Sequence, residues 1–180
     1  RLDPERRIEK TKRSLQILER ALIFHIIKSS NAEGLPLNAG ASSKIMKPLF
    51  LDLGLMQYHC GSHPSDILNE KDLSKVYKGA LAEQFVGQEI LAAGGSENFK
   101  MFYWSRAKKS SSAEVDYLYV KNGRIFPIEV KSGPAGKLKS LHIFLQEHPN
   151  VESGYVMSPA LFEKQTAKTL LFMPVYTRFA

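Results

Sequence analysis

The sequence predicts a mixed α/β fold, and three observations carry that prediction. The first is a hairpin: Glu114-Val115-Asp116-Tyr117-Leu118-Tyr119-Val120, then Lys121-Asn122-Gly123-Arg124, then Ile125-Phe126-Pro127-Ile128-Glu129-Val130-Lys131. Two strand-like runs around an Asn-Gly pair are the strongest short-range signal for a two-residue type I′ turn. The second is a helical pattern from Tyr77 to Ala93, stopped by Gly94-Gly95. The third is a further helix from about Lys137 to Glu147, opened by the turn Gly133-Pro134-Ala135-Gly136. Helix, strand, hairpin, helix and strand in that order describe a mixed sheet flanked by helices.

The remaining elements follow from pattern. Arg6 to Ala21 reads as an amphipathic helix, with Ile8, Leu15, Leu18 and Leu22 among polar residues. Leu22 to Ile27 is a β-branched, aromatic run, and a polar segment with Gly and Pro follows from Lys28 to Ser43. Lys47 to Leu51 is a second short apolar run, ending at Asp52-Leu53-Gly54-Leu55. This helix plus hairpin predicts a small winged-helix-like segment over residues 1–60. Gly61 to Ser74 is polar and turn-rich, which sets a boundary before a second unit, residues 61–180. Phe99 to Trp104 is expected as a strand and Arg106 to Ser112 as a basic, serine-rich loop. Tyr155 to Met157 and Leu170 to Tyr176 are expected as strands with a short helical stretch between them. Neither an internal repeat nor a low-complexity segment is present.

Composition narrows the class. At 180 residues the chain holds one ample core, or one domain and an appendage. Its 43% hydrophobic and 24% charged residues are ordinary for a soluble globular protein. No apolar run approaches the roughly 20 residues that span a bilayer, so no membrane partner is expected. Cys60 is the single cysteine, which excludes an internal disulfide framework and points to a reducing compartment, the cytoplasm. The chain opens Arg1-Leu2-Asp3-Pro4 with neither initiator methionine nor signal-peptide pattern, so a longer polypeptide is expected. The net charge is +7. Between Lys100 and Ser140, nine Lys or Arg stand against three acids, Glu114, Asp116 and Glu129. A basic field around a small acidic centre suits a polyanion with an embedded metal, although charge alone fits a solvated surface better.

The hairpin fixes its own geometry. With a tight turn Lys121 faces Arg124, so Asp116 faces Glu129 and Glu114 faces Lys131. Alternation places these four on one face with Leu118 and Val120, and Tyr117, Phe126, Ile128 and Val130 on the other. A bulge would break that register. Facing residues have Cβ atoms about 4.5–5.5 Å apart, where like charges repel. Asp116 and Glu129 so placed favour a cation between them, Mg²⁺ or Mn²⁺ in character. Lys131 would then position the attacking water or stabilise charge on a phosphate. The plain alternative is a surface ladder with both acids in water. On the preceding helix, Gly79, Glu83 and Gly87 share one face. Two glycines at about 1 kcal/mol each make sense if the helix backbone packs closely and projects the carboxylate beside that contact. A helix crossing with a solvated Glu83 is the alternative.

Other motifs are weaker. Ser132-Gly133-Pro134-Ala135-Gly136-Lys137-Leu138 lacks the spacing and hydroxyl of a P-loop, so no ATP site is expected in this chain. His59, Cys60 and His63 sit beside Gly61 and Pro64, which favours a loop over a zinc site. Tyr103, Trp104 and Arg106 have the chemistry to contact nucleic acid, but strand aromatics are more often core. His142 fits an ordinary amphipathic helix.

Glu83 on a helix, then Val115-Asp116, then Ile128-Glu129-Val130-Lys131, resemble the PD-(D/E)XK nuclease superfamily, with Val115 where proline is common. More closely, the chain resembles the domain that follows the P-loop module in bacterial and archaeal AAA-type ATPases. That likeness runs through Phe50-Leu51-Asp52-Leu53-Gly54-Leu55, Gly79-Ala80-Leu81-Ala82-Glu83, Tyr103-Trp104-Ser105-Arg106, Glu114-Val115-Asp116 and Ile128-Glu129-Val130-Lys131-Ser132. The resemblance implies a restriction-endonuclease-like fold, a P-loop ATPase domain N-terminal to it, and a metal-dependent nuclease centre. The expected assignment is Asp116, Glu129 and Glu83 on Mg²⁺ or Mn²⁺, Lys131 on water or phosphate, and Arg106, Lys108 and Lys109 on the DNA backbone. The alternative is a catalytically silent module that docks nucleic acid or a partner and regulates the ATPase.

Overall fold

The Asn122-Gly123 pair takes positive φ at both residues, 50° and 71°, the mirror-image turn that suits a twisted hairpin. A computed structural model describes the chain at residues 4–61, 78–94, 99–108, 111–132, 138–158, 163–165 and 170–174. It begins with helix α1 (Pro4–Arg20), strands β1 (Phe24–Ser30) and β2 (Ala41–Phe50), and a short helix α2 (Leu53–His59). Helix α3 (Lys78–Ala93) leads to strands β3 (Phe102–Lys108), β4 (Ser111–Lys121) and β5 (Arg124–Val130). Helix α4 (Lys139–Glu147) and strands β6 (Gly154–Ser158), β7 (Glu163–Gln165) and β8 (Leu170–Pro174) complete the described elements.

All eight strands join one mixed sheet in the order β2-β1-β3-β4-β5-β6-β8-β7. The β1–β2 hairpin is antiparallel and docks on β3 through a parallel pairing of Lys28 with Phe102 and Ser29 with Tyr103. The β1–β2 hairpin that follows α1 is thus one edge of the common sheet. The boundary expected across Gly61–Ser74 falls almost wholly outside the described residues. β6 and β8 continue the sheet in parallel beyond β5.

Several expected boundaries shift. The segment read as a basic loop at Arg106–Ser112 is the closing end of the β3–β4 hairpin, where Arg106 pairs with Ala113 and Ala107 with Ser112. Between the last two expected strands Glu163–Gln165 form strand β7, antiparallel to β8; the rest of the segment where a helical stretch was expected lies outside the described residues. Helix α2 has no amphipathic repeat long enough to read; it starts because Asp52 accepts a hydrogen bond from the Leu55 N–H at 2.7 Å, an N-cap.

The sheet buries both faces. On one, Trp104, Val115 and Leu118 pack beneath Leu141 and Phe144 of α4, with Trp104 and Phe144 edge-to-face at 5.3 Å. On the other, Ile27, Leu49, Tyr103, Tyr117 and Ile128 lie beneath Val86 and Ile90 of α3. Tyr103 and Trp104 are thus core residues.

Candidate metal centre

The site forms where β4 and β5 part. From Lys121–Arg124 back to Tyr117–Ile128 the two strands pair in the register that the turn dictates. At that point β5 turns its pairing toward β6, Val130 beside Met157, and the Lys131 N–H donates to the Met157 carbonyl at 2.8 Å. The Asp116 side chain fills the opening: its Oδ2 accepts the Val130 N–H at 2.7 Å, in place of a ladder carbonyl. A carboxylate at a fork satisfies a backbone donor that would otherwise be orphaned.

A bulge sits at the same place. Phe102 pairs with Leu118, yet Trp104 pairs with Val115, so β4 carries one extra residue across Asp116–Tyr117. Side-chain alternation flips there, which puts Val115 and Leu118 in the same core cluster beneath α4. This corrects the expected distribution of faces. Glu114 and Asp116 lie with Tyr117 on the α3 side of the sheet, and Leu118 lies on the opposite side with Val120. Glu114 does not face Lys131 either; the fork separates them, and Glu114 pairs with Ser105 of β3.

Helix α3 brings Glu83 over this opening. Its Gly87 lies against Tyr117, where an added Cβ would come within 2.4 Å of the phenol oxygen. The Tyr117 hydroxyl donates to the Glu83 carbonyl at 2.8 Å. Gly79, by contrast, has nothing within 4 Å, so only one of the two glycines serves a close approach. Two glutamines tie α3 to β2. Gln84 accepts from the Phe50 N–H at 2.8 Å and donates to the Pro48 carbonyl, and Gln88 donates to the Phe50 carbonyl at 3.0 Å.

Glu83, Glu114 and Asp116 come together, each with a carboxylate oxygen within 4.8 Å of the others. Glu129 is buried beside them; its Oε1 takes the Lys131 ammonium at 2.7 Å, and its Oε2 is buried with no hydrogen-bond partner. Burial raises the Asp116 carboxyl to about 7, reinforced by the charges of Glu129 and Glu83 and opposed by the Val130 N–H and Lys47. Burial also raises Glu129, against the Lys131 hydrogen bond and charge. The Tyr117 phenol is pushed up by burial and then by Glu83.

Sequence reasoning missed Lys47. This β2 side chain places its ammonium 2.5 Å from Glu83 Oε1 and 3.5 Å from Glu114 Oε1. It also lies over the rings of Tyr103 and Tyr117, 4.8 and 4.9 Å from their centroids. Burial alone would lower its pKa, but Glu83, Asp116 and Glu114 raise it above the ordinary value. Nothing in the local sequence marks Lys47, because sixty-nine positions separate it from Asp116 and only the sheet brings them together.

The basic residues expected on DNA are placed differently. Arg106 is partly buried and its guanidinium forms an ion pair with Glu147 of α4. Lys108 ends β3, and Lys109 lies outside the described residues. Two surface grooves occur away from the acids, one between α1 and β1 and one beside the Asn122-Gly123 turn. Among the described residues, no helix is long and apolar enough to cross a membrane.

A mixed sheet flanked by helices, with acids and lysines gathered where two strands part, is compatible with the restriction-endonuclease-like class. Residues 78–177 match the family described as Domain of unknown function (DUF4143), and the chain belongs to that family. The matched span includes Glu83, Glu114, Asp116, Glu129 and Lys131, and excludes Lys47. No curated protein and no solved structure matches the chain.

Proposed function

We propose that this chain is a PD-(D/E)XK-type, divalent-metal-dependent phosphodiesterase module acting on DNA, part of a longer polypeptide with a P-loop ATPase domain. The observation that carries this reading is the Asp116 carboxylate held on the Val130 N–H at a strand fork, with Glu83, Glu114, Glu129 and Lys131 gathered around it. The donor set fits a hard cation: every candidate ligand is a carboxylate, and the buried Glu129 Oε2 still needs a partner. Asp116 and Glu129 would hold Mg²⁺ or Mn²⁺ with support from Glu83. Such an ion lowers the pKa of bound water and offsets phosphate charge.

The chain's own residues do the rest. Water attacks phosphorus and releases a proton to solvent, the P–O bond to the leaving oxygen breaks, and that oxygen takes up a proton from solvent. Lys131, fixed by Glu129, presents a positive charge toward the phosphate and orients the attacking water. Lys108 and Lys109, with the wider basic field, would hold the DNA backbone in a salt-dependent, sequence-blind manner. Arg106 joins them only if its Glu147 pair opens.

The test is cleavage of single- and double-stranded DNA in Mg²⁺ and in Mn²⁺. The parent is expected to cleave, Asp116→Ala to lose cleavage, and Lys131→Met to lose roughly 10²–10³-fold. Cleavage that survives in Asp116→Ala would overturn the assignment.

A second reading has one observation in its favour. All the exposed large hydrophobics among the described residues (Ile17, Leu18, Leu22, Leu35, Ile45, Leu51 and Tyr58) lie in the N-terminal third. That distribution suits a silent module that docks a partner such as the ATPase and regulates it. DNA affinity retained in Asp116→Ala, with no cleavage by either protein or by the full-length ATPase with ATP, would favour it.

A further inference from the structure

Lys47 already stands as a cation among these acids. Its side chain is 19% exposed, its ammonium spans Glu83 and Glu114, and two aromatic rings close over it. The contact is built. Gln84 and Gln88 fasten α3 to the backbone of β2 within three residues of Lys47, and the Tyr117 hydroxyl fastens the Glu83 backbone to β4. These bonds fix the backbone from which Lys47 and Glu83 project.

Charge then limits what else the site accepts. Fully ionised, as metal binding requires, Glu83, Glu114, Asp116 and Glu129 give −4, and Lys47 and Lys131 give +2. The remainder, −2, matches one divalent ion. A second ion would leave this half-buried site at +2, a charge that burial penalises. The buried, unpartnered Glu129 Oε2 leaves a single ion one carboxylate oxygen to satisfy.

We propose that Lys47 is a resident cation that takes the place of a second metal, so that the site is a single-ion centre in which the lysine offsets one of the two charges of Glu83 and Glu114. This rests on the metal reading above and adds its stoichiometry and the residue that sets it.

Calorimetric titration of the metal-free chain with Mn²⁺, beside Lys47→Met and Lys47→Arg, tests it. The parent and Lys47→Arg are expected to bind one ion. Lys47→Met is expected to bind a second, or to bind the first at least tenfold more tightly. Two ions in the parent, or a Lys47→Met titration that repeats the parent's, would sink the Lys47 assignment and leave the metal reading standing. No binding by parent or variant would remove both.

A measurement on the parent alone guards against a variant that does not fold. The Lys47 ammonium nitrogen, followed by NMR through a Mg²⁺ titration, is expected to stay protected and ion-paired at saturation. Its release on Mg²⁺ binding would show that the metal displaces the lysine, which contradicts the proposal.

Discussion

Asp116 is under opposed demands. The Val130 N–H stabilises its carboxylate, while burial and the charges of Glu129 and Glu83 oppose ionisation and leave its pKa at about 7. A carboxyl raised above its ordinary value binds a proton in the folded state that the unfolded chain has released. Across the window from about pH 4 to 7 the native state therefore carries more protons, and stability falls as pH rises. Glu129, also raised, acts in the same direction. Melting the metal-free protein in chelator at pH 5 and pH 8 is expected to give the lower midpoint at pH 8. Asp116→Asn is expected to flatten that dependence; an unchanged slope in the variant would show that the strain lies elsewhere. The identities of Glu83, Asp116, Glu129 and Lys131 were legible in the sequence, because turn chemistry and spacing constrain the strand residues. The side of the sheet that the acids occupy and Lys47's presence were not. The first depends on a bulge whose extra residue no propensity marks, the second on a pairing between distant strands.

Helix α3 shows how an element delivers a side chain to a site. Its Gly87 face allows Tyr117 to reach the Glu83 carbonyl, and the glutamines at 84 and 88 lock its register on β2. Gly87→Ala places a Cβ within 2.4 Å of the Tyr117 hydroxyl and 2.7 Å of Leu49. Overpacking of that kind costs about 1–3 kcal/mol, which denaturant unfolding would read directly. Gly79→Ala meets nothing within 4 Å and is expected to be neutral or to stabilise by up to about 1 kcal/mol. Equal losses from the two substitutions would refute the close approach at Gly87. The helix and the hairpin were readable because each is governed by short-range rules: periodicity for one, the left-handed Asn-Gly turn for the other. Helix α2 and the far end of the β3–β4 hairpin were not. A single cap starts the former, and strand pairing extends the latter through residues whose composition resembles a loop.

At the scale of the molecule, the N-terminal hairpin is part of the sheet that carries the acids. Ile27 and Leu49 are buried in the core beneath α3, and β1 pairs with β3. Deleting residues 1–61 would strip that core, uncover the edge of β3, and remove Lys47. The truncated chain is expected to lose cooperative melting and to self-associate through the freed edge; a well-folded monomer by sedimentation and circular dichroism would mean that the two parts are independent. The sequence by itself determined the mixed α/β class, the β4–β5 turn and its register as far as Tyr117–Ile128, and four of the residues at the strand fork, because these depend on neighbours or on a fixed turn. Only the tertiary structure decided which face the acids occupy, that the strand fork parts Glu114 from Lys131, and that a lysine from β2 lies among them. Those outcomes depend on where strands part, bulge and meet distant strands, and side-chain packing over the whole sheet sets that.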